Sequence, residues 1–205
     1  MNSQIFAKVN NFIKNRLIET TGVALIIAAV FLVFSIVTYS PSDPNFIYTP
    51  ENTYIKNWGG FFGSVIADFL LQAIGLISFL VVITLLSWGF EIIKKKKITN
   101  IASKIFFKLT YIVFGTTFIN IFSNQSFWLI DNGNGGFVGR LIKENLFLIT
   151  NAVENKYFVF SLLAFSIIFF VMSLSLKLKE IITLFISPYI IIKKILKFMK
   201  KEKRD

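Results

Sequence analysis

Four long apolar stretches separated by polar loops are the main pattern of this sequence. They cover roughly residues 21–39, 69–90, 105–122 and 158–176. At about 1.5 Å of rise per helical residue, each stretch approaches or exceeds the roughly 30 Å of hydrocarbon in a bilayer. Amphipathic surface helices of soluble domains are apolar on one side only, whereas these stretches are apolar all round. The pattern predicts an all-α integral membrane protein with four transmembrane helices, arranged as two hairpins within residues 21–176.

Basic residues are concentrated on alternate connections between the stretches. Three precede the first stretch, nine follow the fourth between residues 177 and 204, and six lie around the central turn: Lys94, Lys95, Lys96, Lys97, Lys104 and Lys108. The longer loops, 40–62 and 123–157, hold no more basic than acidic residues. Cytoplasmic loops of membrane proteins are enriched in Lys and Arg. We therefore expect segment 1–20, the central turn and tail 177–205 to be cytoplasmic, and both long loops to lie outside a bacterial inner membrane.

The first stretch has a second interpretation, as a cleaved signal peptide. It is long for the apolar part of such a peptide, and no small-residue cleavage site precedes Pro41. We therefore interpret it as an uncleaved signal anchor.

Composition excludes most catalytic chemistry and predicts no cofactor. The chain has no His and no Cys, so imidazole bases, thiol nucleophiles, Cys/His zinc sites and disulfides are impossible. All but three of its 22 basic residues are lysines. Phosphate recognition favours the bidentate fork of arginine, whereas lysines suit anchoring at a membrane surface. The net charge of +11 is therefore attributed to the membrane and not to nucleic acid.

A short glycine-rich sequence occurs twice, at Gly59–Gly63 (GGFFG) and again at Gly135–Gly139 (GGFVG), each time after a long loop. The glycines Gly59, Gly60, Gly63, Gly135, Gly136 and Gly139 therefore mark two similar points of re-entry into the membrane. Glycine can allow a tight turn or a helix start. The Gly-xxx-Gly spacing also permits close helix contact, within one chain or between subunits. Inverted repeats of transporters are similar, but neither their broken helices nor their polar midplane residues are evident here.

The end of the first stretch carries a strong helix stop, Tyr39-Ser40-Pro41-Ser42-Asp43-Pro44. Pro41 disfavours helix at Ser40, Asp43 suits an Asx turn, and Pro44 prevents the helix from resuming. After it comes a run of spaced residues that leads into the second stretch: Asn57, Gly60, Gly63, Ser64, Ala67 and Asp68.

These two motifs resemble the N-terminal four-span membrane domain of the FtsK/SpoIIIE family of bacterial DNA translocases, over roughly residues 16–176. Ser64 stands where the family pattern has Ala, a small-for-small change. The resemblance implies a domain that anchors a ring-forming, ATP-driven DNA pump at the division septum, where chromosome segregation is linked to septum closure. No Gly-x-x-x-x-Gly-Lys-Ser/Thr phosphate loop occurs in the sequence. Contact with DNA and ATP is therefore expected only through a motor beyond Asp205 or on another chain.

Several charged and polar residues have more than one reading. Asp68 lies near the outer interface, where the start of a helix favours a carboxylate, although an intramembrane acid can also serve ions or protons. Gln72 is placed to pair with Asp68 or with a neighbouring helix. Glu91 is interpreted as a solvated residue of the inner side, and Lys108 is expected to snorkel to that side.

The tail 177–205 is predicted to form an amphipathic helix on the inner leaflet. Pro188 interrupts its apolar run, which argues against a fifth span. We expect its basic side, like the central turn, to contact anionic lipid through Lys193, Lys197, Lys200 and Lys201.

The sequence thus predicts a non-enzymatic membrane anchor and assembly module of an FtsK-like translocase, involved in cell division and chromosome segregation. We expect it to form homo-oligomers through its spans and to dock other septum proteins through its outer loops. The alternative is a small transporter or channel subunit built from two hairpins. The spans contain Ser, Thr, Gly and Ala but no convergent acidic residues, which weakens that alternative.

Overall fold

The computed structural model describes residues 2–49, 54–97, 99–126, 128–129 and 131–174. Within these ranges it contains six α-helices and no strand. The helices are α1 Asn2–Val37, α2 Gly60–Ile74, α3 Ser78–Lys95, α4 Ile101–Phe122, α5 Gly136–Ile149 and α6 Lys156–Ser173. Short 3-10 helices follow α2 at Gly75–Ile77 and α5 at Asn151–Glu154. The predicted all-α fold is confirmed. The tail predictions, including Lys193, Lys197, Lys200 and Lys201, fall outside the described residues.

Four helical stretches are long and apolar enough to cross a membrane: Phe6–Val37, Gly60–Lys95, Ile101–Phe122 and Lys156–Ser173. Each overlaps one predicted span, but the bounds differ. α1 begins at Asn2, well before the predicted start of the first span at residue 21. The second stretch begins at Gly60 instead of near residue 69. α5 is a further helix that the hydropathy pattern did not indicate.

The long helices form two antiparallel pairs. α1 packs against α3, where Gly22 meets Gly89: a Cβ on Gly89 would lie 2.9 Å from the Gly22 carbonyl oxygen. α4 packs against α6 through a ladder of phenylalanine rings, of which Phe114 and Phe169 stack at 6.0 Å between centroids. Ile77 of the 3-10 helix and Val81 of α3 join the two pairs, because they pack with the fully buried Tyr111 of α4. The chain is therefore two hairpins with a shared core.

The second apolar stretch is broken at Gly75–Ile77, so the expectation of unbroken helices was wrong. Gly75 has φ +58°, a value that suits glycine. The break accommodates the second long loop, since Leu76 N donates to the Asn134 carbonyl at 2.9 Å and a Cβ on Gly75 would strike that same oxygen. A contact between the two halves, distant in sequence, therefore sets the break.

Both ends of α2 lie on the side of the bundle that carries the long loops, here called the loop side. Its first turn touches Ser35 near the end of α1, and its last residues touch Asn134 and Gly136 of the second loop. Thus α2 connects two points of the loop side. α3 runs from the loop side to the central turn, and at 1.5 Å per residue it is about 27 Å long.

Candidate functional site

Motif residues after α1 bond the described parts of the first long loop, residues 38–49 and 54–59, to each other. Asp43 is 2% exposed, and its carboxylate accepts from the backbone amides of Lys56 at 3.1 Å and Asn57 at 2.8 Å. The Ser64 hydroxyl on α2 donates to the Pro44 carbonyl at 2.6 Å. The two ends of the loop are therefore bonded to each other and to α2, although the side chains of Pro41 and Ser42 stay exposed.

Asn57 connects the loop with the packing of α1. Its side-chain amide donates to the Ser35 carbonyl at 2.7 Å, and its Oδ1 accepts from the amide of Gly59 at 2.9 Å. A Cβ on Gly59 would lie 2.7 Å from the Ser35 hydroxyl, and one on Gly63 would lie 2.9 Å from it. The small residues let α2 approach α1 within one subunit.

The second re-entry repeats this arrangement on α4. A Cβ on Gly135 would lie 2.7 Å from the Asn120 backbone nitrogen, and one on Gly139 would strike the Thr116 carbonyl. Gly60 and Gly136 hold equivalent positions with φ +63° and +67°. Each Gly-Gly pair thus contributes one close approach to a spanning helix and one left-handed turn. Gly59 and Gly135 make the close helix contact, and Gly60 and Gly136 make the turn, so each of the two interpretations from the sequence applies to different glycines.

Asp68 lies in a hydrogen-bond network at the loop side. It accepts from the Tyr39 hydroxyl at 2.8 Å and from the side-chain amide of Asn45 at 3.1 Å. Burial, and then the hydrogen bond to Asp68, raise the pKa of Tyr39, which lies just beyond α1 and stays a protonated donor. Gln72 instead accepts from Asn132 of the second loop at 2.9 Å. The network joins both long loops to α2.

The turn Asn45–Tyr48 presents apolar side chains away from this framework. Asn45 Oδ1 accepts from the amides of Ile47 and Tyr48 at 2.8 and 2.7 Å, and the Asn45 amide donates to the Tyr48 carbonyl. At the tip, Phe46 is 83% and Ile47 97% exposed. Since Asn45 is also bonded to Asp68, the tip is held in place by the motif.

The opposite side of the bundle contains a buried carboxylate, Glu91. It is 6% exposed and pairs with Lys95 at 2.5 Å, with Lys104 of α4 and with the hydroxyl of Thr99. The interpretation of Glu91 as solvated was therefore wrong: it fastens the turn between α3 and α4. Lys96 pairs with Glu19 of α1 at 2.9 Å.

The other lysines of the central turn differ in their surroundings. Lys97 is exposed after the end of α3. Lys108, inside α4, places its ammonium 5.4 Å from the ring centre of Trp88, which stabilises a cation near the membrane boundary. Sequence reasoning missed the Trp88 contact because nothing in the spacing links residues of different helices.

The hydrogen bonds and ion pairs described above hold loops and helices together. Among the residues that the structure describes, no group of three or more His, Cys, Asp or Glu could hold a metal ion. The polar groups at the loop side bond mainly to backbone amides and to one another. Together with the four long apolar helices, this defines the chain as a multi-pass α-helical membrane protein with a rigid loop-side framework.

The family can be stated more closely. The model of the 4TM region of DNA translocase FtsK/SpoIIIE matches residues 14–182, and the chain belongs to this family. The motif residues Tyr39 to Asp68, which build the framework, lie inside the matched region.

Curated relatives agree with this. DNA translocase FtsK of Rickettsia bellii is 26% identical over 164 residues, which is 78% of this chain and 21% of the relative. That of Vibrio vulnificus is 33% identical over 86 residues, 41% of this chain and 8% of the relative. That of Mesorhizobium japonicum is 21% identical over 134 residues, 65% of this chain and 15% of the relative. The chain thus corresponds to about a fifth or less of these relatives. No solved structure matches it.

Proposed function

We propose that this chain is the membrane-anchoring and assembly module of an FtsK-like DNA translocase, working at the division septum in chromosome segregation. The observation that carries the proposal is the family match, which covers residues 14–182 and therefore most of α1, all of α2 to α6 and the loop-side framework. The module has no motor activity of its own, and the sequence has no phosphate loop to bind ATP. DNA and ATP are handled by a motor elsewhere.

The module lies in the bacterial inner membrane with both termini in the cytoplasm. Lysines at the turn between α3 and α4 support this orientation, because that turn is on the side opposite the long loops. In this arrangement Lys94, Lys95, Lys96 and Lys97 are near anionic headgroups of the inner leaflet, and the framework faces outward.

Partners are docked through the first long loop. Phe46 and Ile47 support this role, since two large apolar side chains on a hydrogen-bonded turn lose little conformational freedom on binding. We assign this tip to another membrane protein of the septum, and we assign self-association to the spans.

The test is the position of a fluorescent fusion in dividing cells. The full chain should gather at mid-cell, and a double Phe46→Ser, Ile47→Ser variant should remain in the membrane while losing at least half of its mid-cell enrichment. A Tyr157→Ser variant, which changes another highly exposed side chain on the loop side, is the matched control. Equal enrichment of the double variant would refute docking through the tip, and an even envelope signal from the unaltered chain would refute the septal role.

A small transporter or channel subunit is the alternative, and the helix break with the buried, unpartnered Ser78 hydroxyl is the feature that favours it. The break, however, lies at the loop side and is filled by Asn134. The Thr84 and Tyr111 hydroxyls in the interior bond to each other at 3.0 Å. We therefore retain the anchor as the function best supported.

A further inference from the structure

α5 begins at the loop side and cannot cross the bilayer. Its N-terminus is fixed there by Gly135 against Asn120 and by Gly136 against Gly75. With 14 residues it is about 21 Å long, which is shorter than the roughly 30 Å of hydrocarbon. The 3-10 helix Asn151–Glu154 packs on both α5 and α6, so the end of α5 stays close to the start of α6.

The sides of α5 differ in polarity as an interfacial helix requires. The side that holds Gly139 packs on α4. Arg140 and Lys143 bend back towards the loop side, where Arg140 donates to the Asp131 carbonyl at 3.3 Å and Lys143 to the Asn120 carbonyl at 3.4 Å. Glu144 is exposed at the edge between this arc and the outer side of the helix, since at 100° per residue it lies about 40° from Arg140 and about 20° from Phe137. An exposed carboxylate in the middle of the helix would be costly within hydrocarbon, which places this edge of α5 near water.

The side of α5 that points away from the bundle carries an apolar stripe, which no other helix covers among the residues that the structure describes. Phe137 is 48%, Leu141 47% and Leu148 86% exposed, and at 100° per residue they share one stripe. The exposed Glu144 and Asn145 border this stripe on either side, so the stripe is narrow. α5 thus has a polar arc towards the water, one side packed on the bundle and an apolar stripe that points outward. This is the pattern of a helix that lies in a membrane surface.

We propose that α5 binds the phospholipid surface, lying in the interfacial layer of the loop-side leaflet with Leu141 and Leu148 among the outer parts of the acyl chains. The occupant of the apolar stripe is lipid, because the rest of the bundle already lies in a bilayer and the polar arc faces the loops. Of the three helices that the structure describes in the second half of the chain, α4 and α6 then cross the membrane and α5 does not. This inference rests on the membrane location of the bundle and not on the septal role or on which side is cytoplasmic.

Single-cysteine labelling of the full chain tests the proposal, since the natural sequence has no cysteine. Leu141→Cys and Leu148→Cys, each carrying a nitroxide, are measured in vesicles of phosphatidylethanolamine and phosphatidylglycerol. Collisions with oxygen, which partitions into the membrane, are compared with those of a water-soluble nickel chelate. Arg140→Cys is the matched control on the polar arc, and the exposed Val113→Cys in the middle of α4 is the control for depth.

At positions 141 and 148 the ratio of oxygen to nickel collisions should be several-fold above that at 140 and clearly below that at 113. This corresponds to a depth of roughly 5–10 Å into the boundary between headgroups and acyl chains. A ratio equal to that at 113 would mean a buried helix, and a ratio equal to that at 140 would mean a solvated one. A nitroxide shielded from both reagents would mean that a second copy covers the stripe. Each of these three results would overturn the proposal.

Discussion

Asp43 shows at the scale of one residue how the family motif works. Its carboxylate is almost fully buried, and it satisfies two backbone amides at the far end of the loop it begins. A buried amide without a partner costs about 1–3 kcal/mol. The aspartate therefore determines the loop's shape through hydrogen bonds that an apolar residue cannot replace.

Replacing Asp43 with alanine should lower the free energy of unfolding by about 1–3 kcal/mol, because the amides of Lys56 and Asn57 lose their acceptor. Hydrogen exchange in detergent micelles should show faster exchange of these two amides, while α4 and α6 keep their protection. The matched control is Asp131→Ala, since Asp131 is an exposed acid of the second loop. If the amides of Lys56 and Asn57 exchange at the same rate in the Asp43→Ala and Asp131→Ala variants, Asp43 does not hold the two ends of the loop together.

Sequence reasoning located the motif residues but not their partners. Proline and aspartate chemistry was sufficient to predict a helix stop at residues 39–44. The bonds of Asp68 to Tyr39 and Asn45 depend on how α2 lies against the loop, which local spacing does not encode. Glu91 was misjudged for the same reason, because Lys104, which pairs with it, comes from the next helix.

Two short helices, α2 and α5, are the elements that hydropathy described least well. A window of span length averages α2 with α3, so the break at Gly75–Ile77 disappears into one apolar run. α5 carries Arg140, Lys143 and Glu144 and therefore falls below the threshold of a span. The repeated glycines mark where each of these helices begins, but the sequence analysis interpreted them as re-entry points of two spans and not as the starts of separate helices.

Gly60 and Gly136 form a matched pair for testing how the two halves are joined. Both have a positive φ, so alanine at either position should cost about 1–2 kcal/mol of backbone strain. Only at Gly136 would the new Cβ also collide, at 2.8 Å from the Ala73 carbonyl oxygen; at Gly60 nothing lies within 4 Å. Gly136→Ala should therefore lose an additional 1–3 kcal/mol or so in denaturant unfolding.

Equal losses in the Gly60→Ala and Gly136→Ala variants would show that backbone conformation alone requires these glycines. The contact of the second loop with the end of α2 would then contribute nothing to stability. A larger loss at Gly60 would contradict the assigned packing altogether.

At the scale of the molecule, the described part of the chain consists of two copies of one plan: a long helix, a loop, a short helix that starts with glycine, and a second long helix. The two copies meet at the loop side through Gly75, Asn134 and Gly136, and in the core through Tyr111. Such a bundle is stiff at the side where the loops are held. The opposite side is fastened by the ion pairs of Glu91 and of Glu19.

Orientation in the membrane is a prediction at this scale. A phosphatase that is active only in the periplasm, fused after Glu51 in the first long loop, should be active, and the same enzyme fused after Asp205 should be inactive. The reason is the excess of lysines on the side of the central turn. High activity of the fusion after Asp205 would mean that the C-terminus lies outside the cytoplasm, which contradicts the proposed orientation.

Functional exchange tests the anchor role most directly. Residues 1–205 would replace the membrane region of DNA translocase FtsK in Vibrio vulnificus, with the rest of that protein and its expression unchanged. The number of cells that complete division, counted together with the mid-cell signal of the chimera, is the measurement. The account predicts mid-cell chimera and division close to that of the unaltered strain. A chimera that is inserted in the membrane and abundant, but spread evenly in undivided cells, would contradict it.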